Sequence, residues 1–343
     1  MSSETSSEIN STKKTLKFLT PKLSDRVQYS SSATMGVTNT NKNNIRKIVV
    51  GAASTKINGM DSMYEDCGRQ ITNRIYGGEI AELDEYPWLA LIFYNSDEFG
   101  CSGSLISHNF VLTAAHCVTG GIVRKKNGLK LIRLGEFNVN SQPDCIEEEN
   151  YLNCADAAID VEVDKIFVHP NYNEDSPFKS DDIALIRLKN YVSFTHFIMP
   201  ICLPKFSNKM LENPFQEGKY FSVSGWGRTD LFNDYFPNIR SPIKLKLQVP
   251  YVTNENCSEI LKEHGAEITD KQICAGGELS KDTCAGDSGG PLMYFDKNVY
   301  RWIAYGIVSY GFSQCGLAGH PAVYTNVTEY VDWIHSVMHG SGK

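Results

Sequence analysis

The first sixty or so residues of this chain carry almost no hydrophobic pattern. Residues 1–66 are rich in Ser, Thr, Asn and Lys, and Ile48-Val49-Val50 is their one short apolar interruption. Such a segment cannot bury enough apolar area to offset the entropy of ordering its chain, so it is read as a mostly disordered extension. From Ile75 onward short apolar runs recur, broken by Gly, Pro and Asn. Residues 87–93 (Pro-Trp-Leu-Ala-Leu-Ile-Phe) and 302–308 (Trp-Ile-Ala-Tyr-Gly-Ile-Val) have the length and continuity of buried strands. Residues 243–249 alternate apolar and polar side chains, the period of a half-buried strand. Many short strands divided by turn residues predict an all-β barrel or sandwich. One helix is predicted over 328–339, where Tyr330, Trp333, Ile334 and Val337 share a face and Thr328 stands as N-cap.

The composition narrows the class. The chain has 343 residues, 41% hydrophobic and 21% charged, which suits one large or two small globular domains. A formal charge of −7 with no basic block argues against nucleic-acid binding, and no apolar run reaches the length of a membrane span. Ten cysteines, an even number without a Cys-x-x-Cys pair, read as a disulfide framework and hence an oxidising compartment. The N-terminus points the other way, because residues 1–10 are polar and no apolar signal core follows them. The cysteines weigh more, and a secreted, extracellular location is expected.

Three segments carry candidate chemistry: Ala114-Ala115-His116-Cys117, Asp182-Ile183-Ala184-Leu185 and Cys284-Ala285-Gly286-Asp287-Ser288-Gly289-Gly290-Pro291. They supply a base, a carboxylate and a hydroxyl. A serine attacks carbonyls only when a neighbouring base removes its proton. Any one of these segments alone reads more readily as a structural histidine or a glycine turn. An alternative reading of Gly286-x-Ser288-x-Gly290 is a nucleophile elbow, but that architecture needs its acid and histidine after the serine, and only 55 residues follow Ser288.

Together with Gly225-Trp226-Gly227 and Ser309-Tyr310-Gly311, these segments resemble the chymotrypsin/trypsin family of serine proteases over residues 75 to about 338. The resemblance implies two packed antiparallel six-stranded β-barrels with a C-terminal helix, and residues 339–343 as a tail. It implies Ser288 as nucleophile, His116 as base and Asp182 as the acid that orients it, with the amides of Gly286 and Ser288 forming the oxyanion hole. Asp181 competes with Asp182 on paper, but the family pattern puts the acid directly before Ile-Ala-Leu. His116 must be neutral to act as base. Asp282, six residues before Ser288, falls at the base of the primary specificity pocket, which implies cleavage after Arg or Lys. Gly311 forms its wall, and Ser309 and Gly311 hold substrate backbone. Ala322 departs from the family's glycine, and its methyl is expected to shift the balance between Arg and Lys.

Asn73-Arg74-Ile75-Tyr76-Gly77-Gly78 resembles the family's activation junction. A cut after Arg74 would free the Ile75 amino group to pair with Asp287, so residues 67–74 are read as a tethered activation segment and the intact chain as a zymogen. Family pairing implies the disulfides Cys67–Cys202, Cys101–Cys117, Cys257–Cys274 and Cys284–Cys315, leaving Cys145 and Cys154 as a further pair. That pair and the run from Cys67 resemble arthropod clip-domain proteases of immune and melanisation cascades, although residues 1–66 hold no cysteine and hence no clip module. Protein substrates, an upstream activating protease and serpin-type inhibitors are the partners implied. A digestive trypsin and a non-catalytic homologue are the competing readings. No cofactor is needed for the chemistry, but Glu136, Asn138 and Asp144 resemble the family's calcium loop. Asn10, Asn256 and Asn326 head glycosylation acceptor patterns.

Overall fold

The computed structural model describes residues 66–70 and 79–340, except 97, 149–150, 177, 206–209, 229–239, 264 and 313–314. Arg74, Ile75, Asn10 and nearly all of the N-terminal extension lie outside the described residues.

The apolar runs fold as two closed barrels. A short β1 (Glu79–Ile80) precedes β2 (Leu89–Tyr94), β3 (Phe99–Leu105) and β4 (Phe110–Thr113), then the short helices α1 (Ala115–Val118) and α2 (Gly120–Lys125). Next come β5 (Leu129–Leu134), the hairpin β6 (Cys145–Glu148) and β7 (Tyr151–Cys154), then β8 (Ile159–Val168) and β9 (Ala184–Leu188). The first barrel closes in the order β2-β3-β4-β9-β8-β5. Its core holds Trp88, Leu91, Ile92, Ile132, Leu185 and Ile186, all fully buried. Closure leaves no strand edge to satisfy, which suits a strand such as β2 whose two faces are both apolar.

The second barrel contains β10 (Tyr220–Gly225), β11 (Leu245–Val252), β12 (Gln272–Gly276), β13 (Pro291–Asp296), β14 (Arg301–Tyr310) and β15 (Pro321–Asn326), with α3 (Asn254–Lys262) between β11 and β12. Its strands run β11-β10-β13-β14-β15-β12, and a β11–β12 pairing shuts the ring while β1 adds to β11. Phe221, Val249, Leu292, Ile303 and Tyr324 fill it. All these pairings are antiparallel. The chain ends in a 3-10 turn, Val327–Tyr330, that runs into α4 (Val331–Met338).

Two local expectations change. The predicted helix begins as the 3-10 turn at Val327 and becomes α-helical only at Val331; the turn's cap is Asn326, whose side chain accepts from the Thr328 amide at 3.2 Å, and the Thr328 hydroxyl is buried without a partner among the described residues. In the alternating stretch the lysines are as hidden as the apolar residues, with Lys244 3% and Lys246 6% exposed. The segment before β2 folds over them. Lys246 Nζ donates to Glu85 Oε2 at 2.8 Å, and Lys244 Nζ donates to the Glu85 carbonyl at 2.6 Å. Burial, opposed by Glu85, pulls Lys244 down to about 8.

All ten cysteines pair as Cys67–Cys202, Cys101–Cys117, Cys145–Cys154, Cys257–Cys274 and Cys284–Cys315. Cys145 and Cys154 face each other directly across the β6–β7 hairpin.

Candidate active site

His116 and Asp182 come from the first barrel. His116 lies in α1, directly after β4, and Asp182 lies two residues before β9, which pairs with β4. The pairing sets the two side chains together: His116 Nδ1 stands 2.7 Å from Asp182 Oδ2, and the His116 amide donates to Asp182 Oδ1 at 2.9 Å. Both carboxylate oxygens are therefore held by one residue, which fixes the ring's tilt and places the proton on Nδ1. Asp182 is fully buried. Burial works to raise its pKa, but the His116 ring and hydrogen bonds from His116 and Ser309 outweigh it and keep the carboxyl below its ordinary value.

Asp181 serves another purpose. Its Oδ1 accepts from Lys271 Nζ at 2.9 Å and from the Tyr330 hydroxyl at 3.0 Å, away from the imidazole.

The second barrel clasps Asp182 from the far side. Ser309 Oγ donates to Oδ2 at 2.5 Å and Thr325 Oγ1 donates to the Asp182 carbonyl at 2.8 Å. Ser309 can do this because the register between β14 and β15 slips between Val308 and Tyr310, leaving Ser309 as a bulge residue aimed out of the ladder. Ser309 thus helps hold Asp182 in place, while Gly311 follows it at the exposed rim.

Ser288 belongs to the second barrel, on the loop that leads into β13. This loop is pinned to the first barrel: the Ser102 amide donates to the Ser288 carbonyl at 2.8 Å, and Ser102 Oγ donates to the Gly286 carbonyl at 3.2 Å. Gly289 lets the barrels meet this closely. It has φ +81°, and a methyl added there would stand 2.2 Å from Thr113 Oγ1 and 2.4 Å from the Ser102 carbonyl. Cys117 Sγ lies 3.7 Å from His116 Nε2 and 3.5 Å from the Ser288 carbonyl oxygen, so the imidazole and the serine residue flank one sulfur atom. The ligand-type atoms of Cys101, His116 and Cys117 also cluster. The two sulfurs are bonded to each other, so no thiolate is available there for a metal.

Gly286 has φ +114°, a left-handed backbone that a side chain would strain. Beneath it Asp287 is half-buried, with its carboxylate turned onto backbone amides. Its Oδ1 accepts from the Gly227 amide and its Oδ2 from the Cys284 amide, both at 2.9 Å. Desolvation pushes Asp287 up to about 6, against those two amides and the Arg240 charge. Gly225 and Gly227 make room for it, since a methyl at either would fall within 2.4 Å of a carboxylate oxygen.

Asp282 Oδ2 accepts from the Gly316 amide at 3.3 Å, while Oδ1 is buried with no hydrogen-bond partner among the described residues. Desolvation raises Asp282 to about 6, only partly countered by backbone amides. Ala322 pairs with Ala275 across β12 and β15, and its methyl would lie 3.5 Å from one placed on Gly311. Its side chain is buried and faces Gly311.

In the loop after β5, Asp144 Oδ2 accepts from the Phe137 and Asn138 amides and Oδ1 from Ser141 Oγ. Glu136 lies beside Asp144; burial first, and Asp144 second, raise it to about 7, opposed by Arg133. Two buried acids in contact fit a hard cation. Asn138 Oδ1 accepts from the Asn140 amide and its carbonyl from the Ser141 amide, as the oxygens of Asp144 and Glu136 also accept local hydrogen bonds.

Sequence reasoning did not find Ser309 and Thr325 as holders of Asp182. Their partner lies 127 and 143 residues away, and only the barrel registers bring them to it.

The trypsin family model matches residues 75–334. CLIP domain-containing serine protease B8 of Anopheles gambiae is 46% identical over 277 residues, 79% of this chain and 68% of that protein. Melanization protease 1 of Drosophila melanogaster is 39% identical over 80% of this chain and 68% of its own length. A crystal structure of the Drosophila Grass clip serine protease of the Toll pathway superposes with a TM-score of 0.67 and 32% identity, covering 82% of this chain and 78% of that one. With its fold, its paired histidine and aspartate and its serine loop, the chain belongs to the trypsin family of serine endopeptidases and is related to the clip-domain cascade proteases.

Proposed function

We propose that this peptidase cleaves after Arg or Lys, is made as a zymogen opened between Arg74 and Ile75, and works extracellularly in a proteolytic cascade of the immune or melanisation type. The observation that carries the specificity is Asp282: a buried carboxylate oxygen without a partner among the described residues gains most from a cationic side chain. Ser288 attacks the scissile carbonyl as His116 takes its proton, and His116 returns that proton to the leaving amine. Asp182, held by Ser309, keeps the imidazole in the tautomer that allows this. The amides of Gly286 and Ser288 receive the developing oxyanion, each worth about 3 kcal/mol of barrier.

Activation rests on Asp287. Its carboxylate is buried and its ionised form is costly. A freed Ile75 amino group placed beside it supplies the missing cation and fixes the adjacent Gly286 loop for catalysis. The Cys67–Cys202 bridge keeps the N-terminal piece attached after the cut, which suits a regulatory enzyme better than a digestive one. Five disulfides fit an extracellular setting, with protein zymogens as substrates and serpin-type proteins as inhibitors. Glu136 and Asp144 would hold a structural calcium ion remote from the chemistry.

The test compares turnover of Arg, Lys and aromatic peptides before and after a single cut at Arg74, with an Arg74→Gln chain as the uncut control. Cleavage after basic residues should appear only with the cut. Equal activity before and after it would remove the zymogen reading, and cleavage after aromatic residues would remove the pocket reading.

A further inference from the structure

Beside the oxyanion loop lies a cation that neither the triad nor the pocket uses. Arg240 packs against Gly286: a methyl added to Gly286 would stand 3.0 Å from Arg240 Nε and 3.1 Å from its Cδ. On its other side the guanidinium covers the Phe99 ring, 5.3 Å from the centroid, and Nη1 donates to the Phe99 carbonyl. That backbone bond is the hydrogen bond the guanidinium makes among the described residues, and no carboxylate is within ion-pair distance of it there. Glu98 is the nearest acid in sequence to Phe99, but it is engaged by Lys126 Nζ at 2.7 Å. Burial pulls Arg240 below its ordinary pKa, with Glu98, Tyr94 and Asp287 as the opposing charges. A partly desolvated guanidinium with donors left over among the described residues favours a carboxylate that arrives in bidentate geometry.

The position of Arg240 relative to the chemistry assigns that carboxylate to one side of the scissile bond. Asp282, Ala322 and Gly311 gather against the β12–β15 pair, and in the proposed reading they take the residue before the cut. The leaving amine departs on the other side, toward His116 and the Cys101–Cys117 bridge, because His116 must hand it a proton. There β3 runs past the serine loop, bonded to it through Ser102, and Phe99 stands two residues upstream of Cys101. Arg240 spans the gap between Phe99 and Gly286, so peptide leaving the reaction centre on this side passes its guanidinium.

We infer that Arg240 is a specificity-determining residue for the leaving-group side of the substrate, selecting protein substrates with Asp or Glu in the first positions after the cleaved bond. The inference rests on the peptidase reading and adds a second charge to it: a basic residue before the cut and an acidic one after it. It also makes the enzyme discriminate against substrates that carry Lys or Arg after the bond, by like-charge repulsion.

The test uses the full chain cut at Arg74 and a set of internally quenched peptides. They share the residues before the bond and carry Asp, Asn or Lys at the first and at the second position after it. The expected kcat/KM is about three- to fivefold higher for Asp than for Asn, the size of a half-exposed charge pair, and lower again for Lys. The Asp-to-Asn ratio should fall to about one in Arg240→Gln, persist in part in Arg240→Lys, invert toward Lys in Arg240→Glu, and shrink as salt is raised. Because the readout is a ratio within each variant, a general loss of activity does not imitate it. Equal cleavage of the three peptides by the unmodified enzyme, or a preference that survives in Arg240→Gln, overturns the inference and leaves the peptidase reading untouched. A basic-residue preference that fails before the bond sinks the pocket reading instead, and the Asp-to-Asn ratio can still be read on whichever bond is cut.

Discussion

Replacing Asp282 by Asn should make this enzyme more stable and nearly inactive on basic substrates. In the folded chain burial raises Asp282 to about 6, against 3.8 for a free aspartate. For a group whose folded pKa is raised, the favourable contribution is complete below the unfolded value and is lost as pH climbs through the folded one. Above about pH 6 the native protein therefore carries an ionised carboxylate that it holds less readily than the unfolded chain does. The two values correspond to about 3 kcal/mol, reduced to about 2 kcal/mol by screening from water at the pocket mouth. Asn has the same shape, and its Oδ1 can keep the bond to the Gly316 amide. It removes the charge, so the thermal midpoint at pH 7.5 should rise by several degrees, while at about pH 3, below the unfolded value of 3.8 where the carboxyl is protonated in both states, it should hardly move. Over the same change kcat/KM for Arg and Lys peptides should fall by about 10²- to 10³-fold, the loss of a desolvated charge pair of about 3–4 kcal/mol. Calorimetry at the two pH values, paired with peptide kinetics, reads both effects from one variant. A variant that is destabilised at pH 7.5, or that still turns over Arg peptides within a few fold of the parent, would show that Asp282 is not the pocket's counter-charge. The parent enzyme should show the same logic in its pH profile, with kcat/KM for basic peptides declining as pH falls through about 6 and the pocket loses its charge.

Motif segments were legible because their geometry is local. His116 sits on the turn after its strand, Asp182 enters its strand two residues on, and Gly286–Gly290 needs left-handed φ at Gly286 and Gly289, so glycine marks the loop in the sequence itself. The strands at 87–93 and 302–308 were legible for a related reason, since both faces of each are buried and no polar residue interrupts them. What stayed hidden depends on contacts between distant segments. Nothing in the residues around Lys244 and Lys246 says that Glu85 will fold over them. Ser309 is marked in the sequence only by its motif and as a substrate-backbone residue, and it takes a one-residue slip against β15 to turn its hydroxyl onto Asp182. The helix cap was missed for a smaller reason: Asn326 and Thr328 are both capping types, and the choice was made by a 3-10 turn that begins one residue after Asn326.

Two further predictions concern the buried carboxylates away from the pocket. Adding calcium to the protein should raise the thermal midpoint more at pH 8 than at pH 6. Glu136 is raised to about 7 by burial and by Asp144, so its contribution to stability is lost as pH rises through that value, and a divalent cation restores it only where both acids are ionised; Glu136→Gln should abolish the difference, and equal midpoints with calcium and with a chelator at pH 8 would remove the site. Gly227→Ala bears on catalysis. The added methyl would stand 2.1 Å from Asp287 Oδ2 and 2.6 Å from Oδ1, closer than any packing allows, so the carboxylate must swing out and surrender its bonds to the Gly227 and Cys284 amides. Two amide bonds to a buried charge amount to about 2–4 kcal/mol, and the same displacement drags Gly286, one residue away, out of the position its amide needs for the oxyanion. Activity after the cut at Arg74 should drop at least about 100-fold, one oxyanion donor's worth, while binding of a basic competitive ligand in the Asp282 pocket weakens far less. Gly121→Ala, where a methyl meets nothing within 4 Å, is the control for adding a side chain. A Gly227→Ala enzyme with normal turnover would mean that the oxyanion loop does not depend on the seat of Asp287, and the activation scheme built on that carboxylate would fall with it.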